Sequence, residues 1–211
     1  MLNIYVTRYG QDQDNIKGIL NGQRDEELTD EGVKQAETLA SKIKAKGLKF
    51  DKIYCSPLKR AHNTARTIAI MTDNPEPEVM ESLIERDFGV MTGKMHSDII
   101  PMCSPRLIKS KDIVYFLDPE GAETFPDLIN RGEKTLRKIQ DTHKDGNILL
   151  VTHGDTGKMI YTAFYDLPWE RVLQDFYFGN GDMLLLSKDS PASKPHIFKV
   201  SEGQTKAQQI N

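Results

Sequence analysis

Three short apolar runs punctuate an otherwise mixed chain: LNIYVT (2–7), DKIYCS (51–56) and NILLVTH (147–153). Each is rich in Ile, Leu, Val and Tyr and closes on polar or turn-forming residues, which predicts strands buried on both faces of a parallel sheet. Between the first two the period changes. In LTDEGVKQAETLASKIKAKG, Val33, Ala36, Leu39, Ala40 and Ile43 recur at helical spacing. Thr29 as N-cap, Asp30 and Glu31 at the positive helix start, lysines in the last turn and Gly47 beyond it mark both ends. A second helix is predicted from Leu58 to about Met71, with Pro57 in its first turn. A third covers 125–146, with Leu128, Ile129, Leu136 and Ile139 as its apolar positions and Gly146 at its end. A fourth starts near Asp155, and GDMLLLS (181–187) and HIFKV (196–200) read as further strands.

Strands alternating with helices imply an α/β fold, in which right-handed crossovers bring the C-terminal strand ends to one edge of the sheet. Residues 94–120 break the alternation. With three prolines and mixed apolar and basic residues they read as a small cap insertion lying over something. The expected organisation is one domain over 1–200 and a polar tail over 201–211.

Composition narrows the function classes. The 211 residues are 38% hydrophobic and 28% charged, as in an ordinary globular protein, and 28 basic against 31 acidic residues leave a net charge of −3. No overall basic field exists to draw in nucleic acid or an anionic membrane, so any anion site must be local. Two cysteines, Cys55 and Cys103, without zinc spacing argue against a disulfide framework and a structural metal. Without a signal-like start or a long apolar run, the expectation is a cytoplasmic protein with no membrane partner.

Three segments place Arg or His just past a buried strand: VTRYG supplies Arg8, YCSPLKRAHNTA supplies Arg60 and LLVTHGD supplies His153. Two guanidiniums suit bidentate binding of phosphate, and a helix N-terminus beside them adds backbone donors. GDTGK (154–158) matches only part of a P-loop: Thr152 stands where the first Gly belongs and Met159 where Ser or Thr belongs.

The order of these motifs resembles the histidine phosphatase superfamily, the phosphoglycerate-mutase-like enzymes. Arg8-Tyr9-Gly10-Gln11 lies where that family has Arg-His-Gly followed by Glu or Gln, and Asn15 matches its Asn five positions beyond the Gly. NGQRDEELTDEGVKQA (21–36), SPLKRAHNTA (56–65), LIERDFGVMTG (83–93), GAETFPDLINR (121–131) and VTHGD (151–155) follow in family order. The resemblance implies a three-layer α/β/α fold with a mainly parallel central sheet. It also implies a metal-independent reaction without a cofactor, on a small-molecule phosphomonoester or inorganic phosphate, by a monomer or homodimer. Carried over by position, Arg8, Asn15, Arg60 and His153 would bind phosphate, Glu85 would donate and accept the proton, and Tyr9 would occupy the place of the nucleophilic His. Gln11, Gly22, Arg86 and Arg106 are carried forward as candidate substrate contacts. Arg8, Tyr9, Arg60, Glu85 and His153 should then line one pocket.

Tyr9 is the departure. A neutral imidazole has a lone pair near pH 7, whereas phenol, with a pKa of about 10, is almost wholly protonated there. Three readings stay open: natural loss of catalysis leaving a phosphate-binding pseudophosphatase with a regulatory role, an active phosphatase altered at one position, or a tyrosine that itself attacks phosphorus. The genomic codon at position 9 separates the first two. The short interval from Glu85 to Gly121 favours a phosphomonoesterase over a phosphoglycerate mutase, and Lys94, Arg106, Lys109 and Lys111 of the cap suggest a lid over an anionic, partly apolar substrate.

Overall fold

The computed structural model describes residues 1–200, so the expected tail lies outside the described residues. Strand β1 (Leu2–Arg8) leads through a short helix α1 (Gln13–Lys17) to α2 (Asp30–Ala45), β2 (Lys52–Cys55), α3 (Lys59–Thr72) and β3 (Glu78–Val79). The cap follows with α4 (Ile99–Cys103) and a hairpin of β4 (Leu107–Lys109) and β5 (Val114–Phe116). The chain then returns through α5 (Phe125–Thr142), β6 (Gly146–Thr152), α6 (Gly154–Tyr165), α7 (Trp169–Asp175), β7 (Met183–Leu186) and β8 (His196–Phe198).

The main sheet has the order β3-β2-β6-β1-β7-β8. β1, β2, β3 and β6 run parallel, and β7 and β8 are antiparallel additions at one edge. Burial explains the apolar runs. In β1, Ile4 and Val6 join the core shared with α5, α6 and α7, while Tyr5 joins the core shared with α2 and α3. β6 divides in the same way, Ile148 and Leu150 on one face and Leu149 and Val151 on the other. The result is the expected α/β/α sandwich with a mainly parallel sheet.

Several local expectations are corrected. Pro57 precedes α3 rather than entering its first turn, since Leu58 is the N-cap. α5 stops at Thr142, and Gly146, at φ +94°, opens β6 instead of closing the helix. Val33 is exposed, and the buried stripe of α2 uses Gly32 and Gln35 in its place. Gly32 lies there because its backbone packs directly on the backbone of Gly10 and Gln11. Thr29 caps α2 as expected, its hydroxyl accepting from the Gly32 N–H at 2.9 Å.

The parallel arrangement positions the site. β2, β6 and β1 are neighbours, so the residues just past their C-terminal ends meet at one edge. The ladder continues into them: Ser56 N–H donates to Val151 O and Tyr9 N–H donates to Thr152 O.

Candidate active site

A pocket opens at this edge, with a cavity of about 140 Å³ between the sheet and the cap. Arg8, Tyr9, Asn15, Glu85 and Arg86 are on its wall, and His96, Ile99, Tyr115 and Phe116 of the cap form its roof. Arg60 and His153 belong to the same cluster but lie behind Tyr9, fully buried. The expectation that all five motif residues line the pocket is therefore corrected at two of them, and the reason is the tyrosine ring. The His153 ring centroid is 5.1 Å from that of Tyr9, and the guanidinium carbons of Arg60 and Arg8 are 4.9 and 5.6 Å from it. A residue 2% exposed thus separates two cationic or donor groups from the cavity.

Sequestered in this way, Arg60 is held from within. It donates to the carbonyls of Gly22 and Arg24, and its Nε lies 3.3 Å from Asp12 Oδ2 in an ion pair buried on both sides. Asp12 Oδ2 also accepts from Asn21 Nδ2 at 2.6 Å, and the same amide donates to the Tyr9 hydroxyl at 3.1 Å. His153 Nε2 is 2.7 Å from Ser56 Oγ, while its Nδ1, the Arg8 Nε and the Arg60 Nε have no hydrogen-bond partner among the described residues. Polar atoms buried without a partner are uncommon and expensive. Three of them flank Tyr9.

The electrostatics follow from burial. Desolvation, reinforced by Asp12, raises the Tyr9 phenol above its ordinary value and outweighs the two arginines, so the ring carries no useful phenolate at neutral pH. His153 is pushed well below its ordinary value by burial and by the charges of Arg60, Arg8 and Arg131, and is neutral. The Glu85 carboxyl is raised by burial and by Asp155, and therefore keeps its proton to higher pH than an exposed glutamate. Its Oε1 accepts from the Arg86 and Thr156 N–H groups and the Thr156 hydroxyl, which fixes it at the start of α6. Arg86 is held by Asp155 at 2.9 Å and lies over the rings of Phe125, Phe116 and Phe88.

The remaining candidates divide. Asn15 reaches the wall, although its carbonyl oxygen is shared with the Asp12 N–H and Asn180. Gly22 faces Arg60 through its carbonyl. Gln11 is turned to the Thr29 hydroxyl and is not on the wall. Arg106 is exposed and bound to Asp118, so it does not reach the pocket, and neither do Lys94, Lys109 and Lys111. Cap residues that do reach it are chiefly apolar. Sequence reasoning did not single out Asp12, Asn21 and Ser56, which hold Arg60, Tyr9 and His153 in place; Asn21 and Ser56 each open a quoted motif and Asp12 follows one, but nothing in local spacing marks them.

Among the described residues no cluster of His, Cys, Asp or Glu could hold a metal ion, and no helix is long and apolar enough to cross a membrane.

Comparison with known proteins adds the family. The profile of the histidine phosphatase superfamily (branch 1) matches residues 4–189. A 2,3-bisphosphoglycerate-dependent phosphoglycerate mutase of Brucella melitensis is 28% identical over 202 residues, covering 93% of this chain and 98% of the relative. Because that relative is matched almost end to end, chain length does not separate hydrolase from mutase, and the short interval from Glu85 to Gly121 loses its force as a discriminator. Among solved structures, YhfR of Bacillus stearothermophilus superposes with a TM-score of 0.77 at 25% identity, over 90% of this chain and 93% of that one. A phosphoserine phosphatase variant from Entamoeba histolytica in complex with phosphoserine gives 0.72 at 25% identity, over 88% and 90%.

Proposed function

The chain belongs to the histidine phosphatase superfamily, branch 1, and from that premise we propose that its pocket is built for hydrolysis of phosphomonoesters through a phosphohistidine, with Tyr9 in the nucleophile's place and this chain close to inert. The observation that carries the proposal is the packing of one aromatic ring against Arg8, Arg60 and His153 at once. Those are the groups that would surround a transferring phosphoryl group, whose equatorial oxygens need fixed donors more than covalent chemistry. Glu85, raised and anchored, is the proton donor to the leaving oxygen and then the base for water. His153, neutral and held by Ser56, is a hydrogen-bonding partner rather than a charge. Arg8 and Asn15 meet the phosphate from the open side.

With Tyr9 in place, Arg60 is inaccessible, and inorganic phosphate should bind weakly. Tyr9→Ala should bind it at least about tenfold more tightly, because the ring no longer covers two of the donors. Calorimetric titration of both forms, each checked for a cooperative melt, decides this. Equal affinities would mean that the ring does not occupy the phosphate's place.

The role of Glu85 has its own signature in an active form carrying Tyr9→His. For an alkyl phosphate, whose leaving oxygen must be protonated, activity should fall as pH rises through the raised Glu85 value, since the acid form is lost there. Glu85→Gln in that background should cost about 10²-fold or more on the alkyl ester. On p-nitrophenyl phosphate, whose leaving group needs no proton, the loss should be much smaller. Similar losses on both would remove Glu85 from the proton-donor role.

A mutase is the second reading, favoured by the curated relatives of that name. It predicts phosphoryl exchange between positions of a phosphorylated acid, in place of net release of phosphate.

A further inference from the structure

Thr156, the third residue of α6, is buried against Glu85 with more acceptors around it than it has protons to give. Its Oγ1 is 2.8 Å from Ile84 O and 3.0 Å from Glu85 Oε1. A hydroxyl carries a single proton, so with Glu85 ionised it serves only one of these acceptors at a time. Ile84 O can spare it. Arg131 Nη1 donates to that carbonyl at 2.7 Å, and Arg131 is itself fixed by both oxygens of Glu123 at 2.8 and 2.7 Å. The Glu85 carboxyl is asymmetric as well. Oε1 accepts from the backbone N–H groups of Arg86 and Thr156 at 2.9 and 3.0 Å, whereas among the described residues Oε2 receives only the Asp155 N–H, at 3.3 Å. Oε1 is therefore the anchored oxygen, and Oε2 is left to hold and pass a proton.

We propose that Thr156 is a positioning residue for Glu85: its hydroxyl points to Ile84 O while Oε2 is protonated and turns to Oε1 when that proton leaves, with Arg131 keeping Ile84 O paired in the interval. Only the hydroxyl proton swings. One frame of heavy atoms thus holds the glutamic acid and the glutamate alike, as a group acting first as acid and then as base requires. The charges around the carboxyl are fixed and cannot follow its protonation in this way. Arg8 of β1, Arg60 of α3 and Lys158 of α6 favour the ionised form, and Asp155 opposes it. Arg86 is paired with Asp155, and His96 and Asp112 reach the same wall from the cap. The acid–base role rests on the phosphomonoesterase reading; the turn of the hydroxyl does not.

In the chain as it stands, the NMR resonance of the Glu85 carboxyl, assigned by its loss in Glu85→Gln, reads one end of the turn. Thr156→Val keeps the side chain's shape and removes the hydroxyl, so Glu85 should titrate about one pH unit higher, and Thr156→Ser should return it close to the original midpoint. An unchanged or lower midpoint in Thr156→Val, or an equal rise in Thr156→Ser, overturns the proposal. The Ile84 carbonyl resonance reads the other end. It should follow the Glu85 midpoint in the starting chain and lose most of that change in Thr156→Val; a carbonyl that never shows the change, or keeps it in the variant, overturns the turn. In Tyr9→His, the fall in alkyl phosphate hydrolysis at high pH should move up by about one pH unit with Thr156→Val and return with Thr156→Ser. A limb that stays in place while the NMR midpoint moves overturns the link to catalysis. Absence of hydrolysis in Tyr9→His sinks the phosphatase reading, and the two NMR titrations still decide what the Thr156 hydroxyl does.

Discussion

Tyr9→His should raise hydrolysis of p-nitrophenyl phosphate, in the presence of a chelator, by at least about 10³-fold, a barrier change of about 4 kcal/mol. The phenol cannot attack phosphorus at neutral pH because burial, reinforced by Asp12, raises it against the help of two arginines. An imidazole at the same position is shorter, vacates the volume of the hydroxyl now held by Asn21, and has a free lone pair near neutrality. Arg8, Arg60, Glu85 and His153 are already assembled around it, and groups that act as a unit lose most of their effect when the nucleophile is missing. An acid-labile phosphoenzyme should be trapped with Tyr9→His and be absent with Tyr9. A gain below about tenfold would place Tyr9 outside the nucleophile's position. Brisk turnover by the present chain that disappears in Tyr9→Phe would make the tyrosine itself the nucleophile.

The second large effect is structural. Gly32→Ala should lower stability by about 3 kcal/mol, toward the upper end of what overpacking costs. A Cβ on Gly32 would stand 2.0 Å from Gln11 O, and one on Gly10 would stand 2.1 Å from Gly32 O. Both obstacles are backbone, so no side chain can swing aside. The start of α2 would have to separate from the segment that carries Tyr9 and Gly10. For a domain of this size the loss corresponds to a fall in melting temperature of about 6–12 °C. Gly47→Ala is the matched control. It has φ +65° and nothing within 4 Å, so only conformational strain of about 1 kcal/mol is at stake. If the two variants melt together, the close approach of the two backbones is not what holds this end of the site.

The same contact explains why Val33 lies off the buried stripe of α2. Helical period names Val33 as readily as its neighbours, but the helix is rotated by the need to set Gly32 on the strand-end backbone, and Val33 turns to solvent. Gly146 departs from its expected place for a related reason: a glycine between a helix and a strand can serve either, and only the pairing of β6 with β1 assigns it to the strand.

What the chain determines alone is whatever depends on short-range period and order. Unalternated apolar runs require strands buried on both faces, amphipathic stretches between them require covering helices, and right-handed crossovers then bring Arg8, Arg60 and His153 to one edge. The succession of motifs carries the family as well. Tertiary structure alone decided which of these groups face the cavity and what occupies the rest. Tyr9 covers Arg60 and His153, Asp12 takes the Arg60 charge, and Arg106 stays on the surface with Asp118. Lys158 meets Tyr115 across 43 residues. Such contacts join distant positions through packing and desolvation, and no local period encodes the burial that leaves a tyrosine neutral between two arginines or sets a lysine against a tyrosine hydroxyl.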